Sequence, residues 1–314
     1  MLSFAIIGAG ALGGYYGARL AQAGYEVHLL CHRDGPFIRE KGLVVESQGR
    51  SVLHVPARAY DRVEDMPPCD IALVALKTTS NQALPHLLPP ALKPDGAVLV
   101  MQNGWDVEVD AAAAAPGHPV VGGLCFLCAN KVGPGVVRHL DYGDVMLGRH
   151  EPTDTNGRAS AALAVVADAL QQARIPTQIS ENLRLARWKK LVWNIPYNGL
   201  SVVHLTTTDV LMADPRLRAE VETLMREVQA LARADGHGIE DAFIQKMLDD
   251  TLRMTPYKTS MFLDYEAGRP MELEVLYERP LLAGERAGAS APHIRALWET
   301  LVAMEKAARV PLSR

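Results

Sequence analysis

The feature that most restricts the fold is a glycine pattern near the amino terminus. Residues 4–24, FAIIGAGALGGYYGARLAQAG, place Gly8, Gly10 and Gly13 in a GxGxxG spacing, directly after an apolar strand and at the start of a predicted helix. In this context the first glycine permits a tight turn, the second lets the backbone approach a pyrophosphate, and the third lets helix and strand pack closely. The pattern predicts a dinucleotide site, with glycines that serve only helix packing as the alternative. The predicted cofactor contacts are Gly8, Ala9, Gly10, Ala11, Leu12 and Gly13.

The end of the second predicted strand bears on which dinucleotide fits. NAD-specific domains carry an acidic residue there, about 20 residues after the glycines, to bind the ribose 2′-hydroxyl. Here residues 27–33 read VHLLCHR, with no carboxylate at the strand tip. Because a guanidinium forms bidentate hydrogen bonds with phosphate, His32 and Arg33 favour NADPH over NADH. Asp34 lies one position further on, however, and Arg33 as a solvated loop residue is the alternative, so NADH stays open.

Two further polar residues follow predicted strands of the same sheet. Lys77 ends the segment DIALVALK, and Asn103 lies near the end of AVLVMQNG. Since ligands of open α/β sheets bind outside the carboxyl ends of the strands, we expect both side chains to reach the nicotinamide, its ribose or the substrate. The alternatives are that Lys77 is solvated and that Asn103 only forms the turn before Gly104.

Hydrophobic periodicity divides the chain into an α/β part and a helical part. The first part alternates short β-branched runs with helical stretches, which indicates a parallel sheet with crossover helices. The predicted strands are 3–8, 26–31, 71–76, 97–101, 119–127, 135–139 and a segment near 144–147. The helices predicted beyond residue 151 are 158–174, 184–204, 215–235, 239–252, 271–287 and 291–308. An extended return at 174–177 is expected to add a last strand to the sheet.

The length and charge of the chain limit the function classes. Its 314 residues suit two domains of roughly 150 residues each, and we place an α/β Rossmann domain at 1–182 and an all-α C-terminal domain at 183–314. The net charge of −4 leaves no excess of lysine and arginine for a nucleic acid backbone. No basic leader precedes the first strand, and no apolar run reaches the roughly 18 residues of a membrane span. We therefore expect a cytoplasmic protein without a nucleic acid or membrane partner.

Cysteine usage points in the same direction. Four cysteines in a chain of this length do not form a disulfide framework. Cys125 and Cys128 make a CxxC pair inside VVGGLCFLCANK, which is typical of a strand. Residues three apart on a strand point to opposite faces, and no second CxxC or HxxxH completes a metal site. The sequence favours buried structural thiols and no bound metal, with a redox or metal role as the alternative.

The most informative segment of the helical part is 186–205, ARWKKLVWNIPYNGLSVVHL. Lys190, Asn194 and Asn198 recur there at i, i+4 and i+8 and therefore share one helical face. Such a stripe is ordinarily a solvated surface. Here the other faces are apolar, so we expect the helix to be buried and its polar residues to face partners, a cleft or a ligand. Pro196 is expected to kink the helix beside this stripe.

With these residues in place, the chain resembles the ketopantoate reductase (2-dehydropantoate 2-reductase) family over essentially its whole length. The motifs that carry the resemblance are GAGALG, the LK of Lys77, the QNG of Asn103, WKKLVWNIPYN and KTSMFLDYEAGRPMELEVL. The last two blocks are specific in combination, because Trp-x-Lys-Leu with two following asparagines rarely coincides with Ser-Met and a glutamate twelve residues later. The resemblance implies an oxidoreductase that uses NADPH to reduce ketopantoate to pantoate in pantothenate biosynthesis.

The resemblance also implies roles for individual residues. Lys190 would be the general acid, and Glu272 would join it as a catalytic residue. This agrees with the chemistry, since hydride arriving at a ketone carbon develops negative charge on oxygen and calls for a cationic proton donor within about 3 Å. The implied substrate-binding residues are Asn103, Asn194, Asn198, Ser260 and Glu272, and the implied cofactor-binding residues include Lys77 and Asn103.

Alternatives to this interpretation stay open at the level of sequence. Ser260 as a turn or cap residue and Glu272 as an exposed helix residue are the structural alternatives to substrate binding. The chain could be a paralogous reductase of another branched 2-oxo acid, or a non-catalytic nucleotide-sensing Rossmann protein. The abundant apolar faces of the helical part are consistent with a homodimer.

Overall fold

The computed structural model describes residues 1–47 and 50–309. The chain folds into two compact units. The first unit comprises Met1–Asn103 and Val107–Leu183, and the second comprises Gly104–Asp106 and the chain from Arg184 onwards. Residues 310–314, which the sequence analysis assigns to the helical domain, lie outside the described residues. Among the helices of the described residues, none combines the length and the hydrophobicity that a transmembrane span requires.

The first unit is built on one ten-stranded sheet. Its strands are β1 (Ser3–Ile7), β2 (Glu26–Leu30), β3 (Leu43–Ser47), β4 (Arg50–Val55), β5 (Arg58–Tyr60), β6 (Cys69–Val74), β7 (Leu92–Val100), β8 (Val120–Gly133), β9 (Val136–Arg149) and β10 (Thr177–Ile179). The spatial order is β4-β3-β9-β8-β7-β6-β1-β2-β5, with β10 beside β9. Neighbours are parallel except for the antiparallel pairs β3/β4 and β8/β9. The parallel centre β7-β6-β1-β2 confirms the predicted Rossmann-like α/β fold.

Five helices accompany the sheet of the first unit. They are α1 (Ala11–Gln22), α2 (Gly35–Lys41), α3 (Leu84–Ala91), α4 (Val107–Ala114) and α5 (Arg158–Gln172). The sheet curls, so that β9 lies over α1: the rings of Tyr15 and His139 are 4.9 Å apart, and the Tyr16 hydroxyl donates a hydrogen bond to the Gly143 carbonyl at 3.5 Å. This enclosure holds α1, and with it the glycine turn, in one position on the sheet.

Several strands differ from the sequence-based expectation. The predicted segments 135–139 and 144–147 belong to one strand, β9, which stays paired with β8 across register shifts. The hairpin β3–β4 and the three-residue strand β5 were not predicted. In β3, Leu43, Val44 and Val45 are consecutive apolar residues, so the sequence shows no alternation although Leu43 and Val45 are the buried ones. Without a period of two, a short run of this kind gives no strand signal.

The second unit is helical, as predicted. Its helices are α6 (Leu183–Val203, of which Leu183 belongs to the first unit), α7 (Thr208–Ala213), α8 (Pro215–Ala234), α9 (Asp241–Arg253), α10 (Ser260–Glu266), α11 (Arg279–Arg286) and α12 (Pro292–Arg309). A π-helical turn, Glu274–Glu278, leads directly into α11. Helices α7 and α10 were not predicted from the sequence, because six and seven residues give less than two turns of periodicity. Pro196 lies inside α6, which continues as helix on both sides of it.

Candidate active site

The glycine turn between β1 and α1 requires glycine for different reasons at its three positions. Gly8 has a φ of +108°, and a Cβ there would lie 2.6 Å from the backbone nitrogen of Leu76. A Cβ on Gly13 would lie 2.0 Å from the Gly8 carbonyl oxygen. At Gly10, the residue before the first turn of α1, no described atom lies within 4 Å of an added Cβ. The first and third glycines therefore allow close packing, whereas Gly10 borders open space at a helix N-terminus, which suits an approaching pyrophosphate.

Lys77 is placed next to this turn by the packing of Gly8. The close approach of Gly8 to Leu76 brings the carboxyl ends of β1 and β6 together, and Lys77 is the next residue. Its carbonyl accepts a hydrogen bond from the Ser80 N–H at 2.9 Å, which starts a 3₁₀ turn over Thr78–Ala83. Lys77 itself is exposed. An exposed ammonium group beside a glycine turn suits an anionic or polar ligand.

Gln102, the residue before Asn103, belongs to a chain of amide hydrogen bonds that was not predicted from the sequence. The buried Gln102 side chain donates to the Leu76 carbonyl at 2.8 Å and to Asn81 Oδ1 at 2.7 Å. Asn81 Nδ2 in turn donates to Asp110 Oδ2 at 2.7 Å. Because a carboxylate only accepts, this chain fixes the orientation of both amides. Asn103 was the residue predicted at this strand end, whereas the hydrogen bonds are those of its neighbour Gln102, whose partners are 21 and 26 positions away.

At the tip of β2 the structure separates the basic and acidic candidates. His32 and Arg33 are exposed. Asp34 is buried, and its Oδ2 accepts a hydrogen bond from the Gly135 N–H at 2.9 Å and lies 2.6 Å from Lys131 Nζ. The carboxylate that left NADH open as a cofactor is therefore engaged by the β8–β9 hairpin.

In the second unit, α6 is buried on nearly all sides, as its composition predicts. Leu191, Val192 and Ile195 are at most 1% exposed. Asn194 and Asn198 are also buried, and Asn198 Nδ2 donates to the Asn194 carbonyl at 2.9 Å, whereas Lys190, two turns earlier, is half-buried. The polar stripe is thus set in an apolar helix rather than on a solvated face.

Glu272 lies at the entrance to the π-helical turn and is buried, which excludes the exposed-helix alternative. The preceding backbone N–H, that of Met271, donates to Glu305 Oε1 of α12 at 2.6 Å. Five residues further on, the Tyr277 hydroxyl donates to the Ile195 carbonyl of α6 at 2.9 Å. The first bond fastens the Glu272 segment to α12, and the second fastens it to α6, the helix that carries Lys190. Burial raises the pKa of Tyr277, so its hydroxyl remains a donor at neutral pH.

Ser260 is the first residue of α10 and is half-buried. The helix is capped by its neighbour Thr259, whose hydroxyl accepts a hydrogen bond from the Phe262 N–H at 3.3 Å. Since Thr259 performs the capping, the alternative in which Ser260 is merely the cap residue is wrong.

The segment after Asn103 is anchored in the second unit. The Trp105 N–H donates to the Val275 carbonyl of the π turn at 2.8 Å, and the Trp105 ring lies 4.2 Å from that of Trp188. The guanidinium of Arg184 lies 4.5 Å from the centre of the Trp105 ring and pairs with Asp106 at 3.1 Å. Three residues that are remote from α6 in sequence are thereby built onto it, a tertiary effect that no local pattern predicts.

The remaining sequence predictions concern metals and cysteines. Cys31, Cys69, Cys125 and Cys128 are buried thiols, as expected of structural cysteines. Among the described residues, no group of three or more histidine, cysteine, aspartate or glutamate side chains is arranged to hold a metal ion.

Two family descriptions match the chain and together span most of it. Residues 4–152 match "Ketopantoate reductase PanE/ApbA", and residues 182–305 match "Ketopantoate reductase PanE/ApbA C terminal". A 2-dehydropantoate 2-reductase from Nostoc sp. is 48% identical over 298 residues, which cover 95% of this chain and 93% of that protein.

Solved structures agree with the sequence matches. The 2-dehydropantoate 2-reductase of Geobacter metallireducens superposes with a TM-score of 0.90 at 37% identity, covering 96% of this chain and 99% of that one. The Methylococcus capsulatus enzyme gives a TM-score of 0.88 at 32% identity, covering 99% of both chains. A dimeric ketopantoate reductase from Staphylococcus aureus shares the fold, with a TM-score of 0.80 at 19% identity over 98% of this chain and 100% of that one. The chain therefore belongs to the ketopantoate reductase family, a family of oxidoreductases that use a nicotinamide cofactor.

Proposed function

We propose that the chain reduces ketopantoate (2-dehydropantoate) to pantoate with NADPH, a step of pantothenate biosynthesis. The observation that carries this proposal is the apolar helix α6, whose polar stripe contains Lys190, together with the buried Glu272 segment that Tyr277 fastens to it. The names of the Nostoc, Geobacter and Methylococcus relatives support the choice of substrate.

The cofactor would be held by the first unit. The open space at Gly10 and the N-terminus of α1 fit a pyrophosphate, and the exposed His32 and Arg33 fit a ribose 2′-phosphate. Lys77 and Asn103 would contact the nicotinamide end or the substrate. When bound, the reduced nicotinamide supplies the hydride that the ketone carbon accepts.

Lys190 would supply the proton. Negative charge develops on the ketone oxygen during reduction, and an ammonium group within hydrogen-bond reach stabilises that charge and then protonates the oxygen. Lys189 and Lys190 are both half-buried, and the Lys189 ammonium lies 5.4 Å from the centre of the Phe243 ring. We assign the proton to Lys190 because it shares the helical face of Asn194 and Asn198, which Lys189 does not.

Glu272 and Ser260 would bind the substrate, with Asn194 and Asn198 beside them. A buried carboxylate at Glu272 can accept a hydrogen bond from a substrate hydroxyl. A 2-oxo acid that lacks this hydroxyl would leave the carboxylate without that bond, so the site would discriminate against it. This selection would distinguish ketopantoate from simple branched 2-oxo acids.

We further propose domain limits of 1–182 and 183–314, a homodimer and a cytoplasmic location. The dimer is supported by Leu205, Val210 and Leu252 of the second unit, which are 61%, 46% and 49% exposed, and by the dimeric Staphylococcus aureus relative. Light scattering that gives the mass of a single chain would contradict it. The location is supported by four cysteines that stay as thiols.

Lysine replacement tests the proposed function. In steady-state assays with NADPH and ketopantoate, Lys190→Ala should lower kcat by about a hundredfold or more, the usual scale for a general acid. The matched control Lys189→Ala removes an adjacent lysine of the same helix and should keep kcat within about twofold. Equal turnover by wild type and Lys190→Ala would remove Lys190 from the mechanism. A panel in which ketopantoate is not turned over, but another 2-oxo acid is, would replace the substrate.

A further inference from the structure

The strongest observation outside the proposed reaction site is that Asp34 is buried and bonded to residues of the β8–β9 hairpin. This residue follows the two basic side chains at the tip of β2, and it has only 6% of its surface exposed. One of its oxygens, Oδ2, accepts a hydrogen bond from the Gly135 N–H at 2.9 Å and forms an ion pair with Lys131 Nζ at 2.6 Å. A carboxylate in this part of a Rossmann domain ordinarily selects NADH by binding the ribose 2′-hydroxyl. Here it is engaged by partners from the β8–β9 hairpin.

The hairpin is seated firmly enough to hold this arrangement. Gly135, at its turn, has a φ of +63°, and a Cβ there would lie 2.9 Å from both Ile38 and Phe37 of α2. Its carbonyl accepts a hydrogen bond from the Val44 N–H at 2.9 Å. The turn is therefore packed on α2 and bonded to β3, so the position of the Lys131 backbone near Asp34 follows from the fold.

The Lys131 ammonium compensates the negative charge of a buried carboxylate. The carboxylate of Asp34 is nearly inaccessible, while the Lys131 side chain is 41% exposed. A buried carboxylate without a compensating cation acts over a longer distance than a solvated one, because little water screens it. Next to Arg33, such a charge would repel the two negative charges of a 2′-phosphate.

We propose that Lys131 is a determinant of cofactor selectivity that acts through Asp34. By pairing with this carboxylate it cancels the charge that would oppose NADPH. This inference rests on the proposed use of NADPH. It assigns part of that preference to a residue of β8, about a hundred positions after Asp34 in the sequence. His32 and Arg33 would then provide the attraction, and Lys131 removes the repulsion.

Equilibrium binding of both reduced cofactors tests the proposal without turnover. The dissociation constants of NADPH and NADH would be measured by calorimetry on the full-length wild type, Lys131→Met, Asp34→Asn and the double variant. The matched control is Lys93→Met. It removes a partly exposed lysine that is 2.9 Å from Asp70, at the amino ends of β6 and β7, the opposite edge of the same sheet. Thermal unfolding of each variant checks that the fold persists.

Lys131→Met should lower the affinity for NADPH by about tenfold, because the charge of Asp34 is then no longer compensated. The affinity for NADH should stay within about twofold of the wild-type value. Adding Asp34→Asn to it should restore NADPH affinity to within about threefold of wild type, because the asparagine oxygen still accepts from Gly135 but carries no charge. Lys93→Met should leave the ratio of the two constants unchanged.

Two results would overturn the proposal. In the first, Lys131→Met lowers the affinities for NADPH and NADH equally, or changes neither of them. In the second, the double variant binds NADPH no better than Lys131→Met, which would mean that Lys131 touches the phosphate itself. The wild-type ratio tests the proposed cofactor separately. A wild type without preference for NADPH contradicts the proposed function, whereas a ratio that still shifts with Lys131→Met and returns with Asp34→Asn upholds the inference.

Discussion

The glycine turn of the first unit and the polar stripe of the second are built on opposite principles. At the turn, side chains are absent: Gly8 and Gly13 allow backbone to meet backbone, and Gly10 borders open space. On α6 the relevant groups are side chains, and part of the helix's surroundings comes from residues remote in sequence, such as Tyr277, which is 82 positions from its partner Ile195. Substitutions that add atoms should therefore disrupt the glycine turn, whereas substitutions that remove atoms should disrupt the polar stripe of α6.

The largest expected effect after that of Lys190→Ala comes from adding one methyl group to the turn. In Gly13→Ala the new Cβ meets the Gly8 carbonyl oxygen at 2.0 Å, so the turn must shift. Overpacking of this kind costs about 3 kcal/mol, and we expect NADPH binding to be lost together with part of the stability. Denaturant unfolding and calorimetry measure the two effects.

Gly10→Ala is the matched substitution, and it should separate binding from folding. No described atom lies within 4 Å of the new Cβ, so the free energy of unfolding should change by less than about 0.5 kcal/mol. NADPH affinity should nevertheless fall, because the methyl group occupies the space that a pyrophosphate would enter. Unchanged NADPH affinity in Gly10→Ala would contradict the proposal that a pyrophosphate occupies the space next to Gly10.

Gln102→Leu tests whether the first unit also depends on a side chain, because the Gln102 amide bonds to Leu76 and Asn81 beside the glycine turn. The substitution leaves the Leu76 carbonyl and Asn81 Oδ1 without their donor, which costs about 2 kcal/mol in a buried site. We expect weaker NADPH binding, since Lys77 and Asn103 flank the broken bonds. Gln102→Glu should behave similarly, because a carboxylate has the same shape but cannot donate. If Gln102→Glu binds NADPH like the wild type, donation is not its role.

Tyr277→Phe tests the second region by removal. It deletes the bond to the Ile195 carbonyl and should lower the free energy of unfolding by about 1 kcal/mol. Because this bond fastens the Glu272 segment to α6, kcat for ketopantoate should fall severalfold, while the dissociation constant of NADPH stays unchanged. A variant in which NADPH binding changes and kcat does not would reverse the assignment of the two regions.

The last prediction concerns how the free energy of unfolding depends on pH in alkaline solution. Burial raises the pKa of Cys31 to about 12 and that of Tyr197 to about 12, and it also raises the pKa of Tyr277. Each group keeps its proton in the fold after the unfolded chain has lost it. Stability is therefore complete below about pH 9 and declines above it, by at most about 1.4 kcal/mol per pH unit for each group. Tyr277→Phe should make the decline less steep in pH-dependent urea unfolding; an unchanged slope would show that Tyr277 ionises alike in both states.

Much of the fold was predictable because its signals are local. The GxGxxG spacing and the periodicity of α6 each depend on residues within one or two turns of one another. The hairpin β3–β4 and the short helices α7 and α10 were missed because their lengths or consecutive apolar residues give no period. The single long strand β9 was predicted as two segments, since register shifts interrupt its alternation.

The two architectures, the glycine turn and the identity of the polar residues on α6 can be inferred from the sequence, because they depend on spacing along the chain. The pairing of Asp34 with Lys131, the link that Gln102 makes between the ends of β6 and β7, and the bond from Tyr277 to α6 follow from the folded chain alone. These partners are separated by 26 to about a hundred positions, and a buried polar group selects its partner by distance and direction in space. Spacing in sequence carries no information about such a choice.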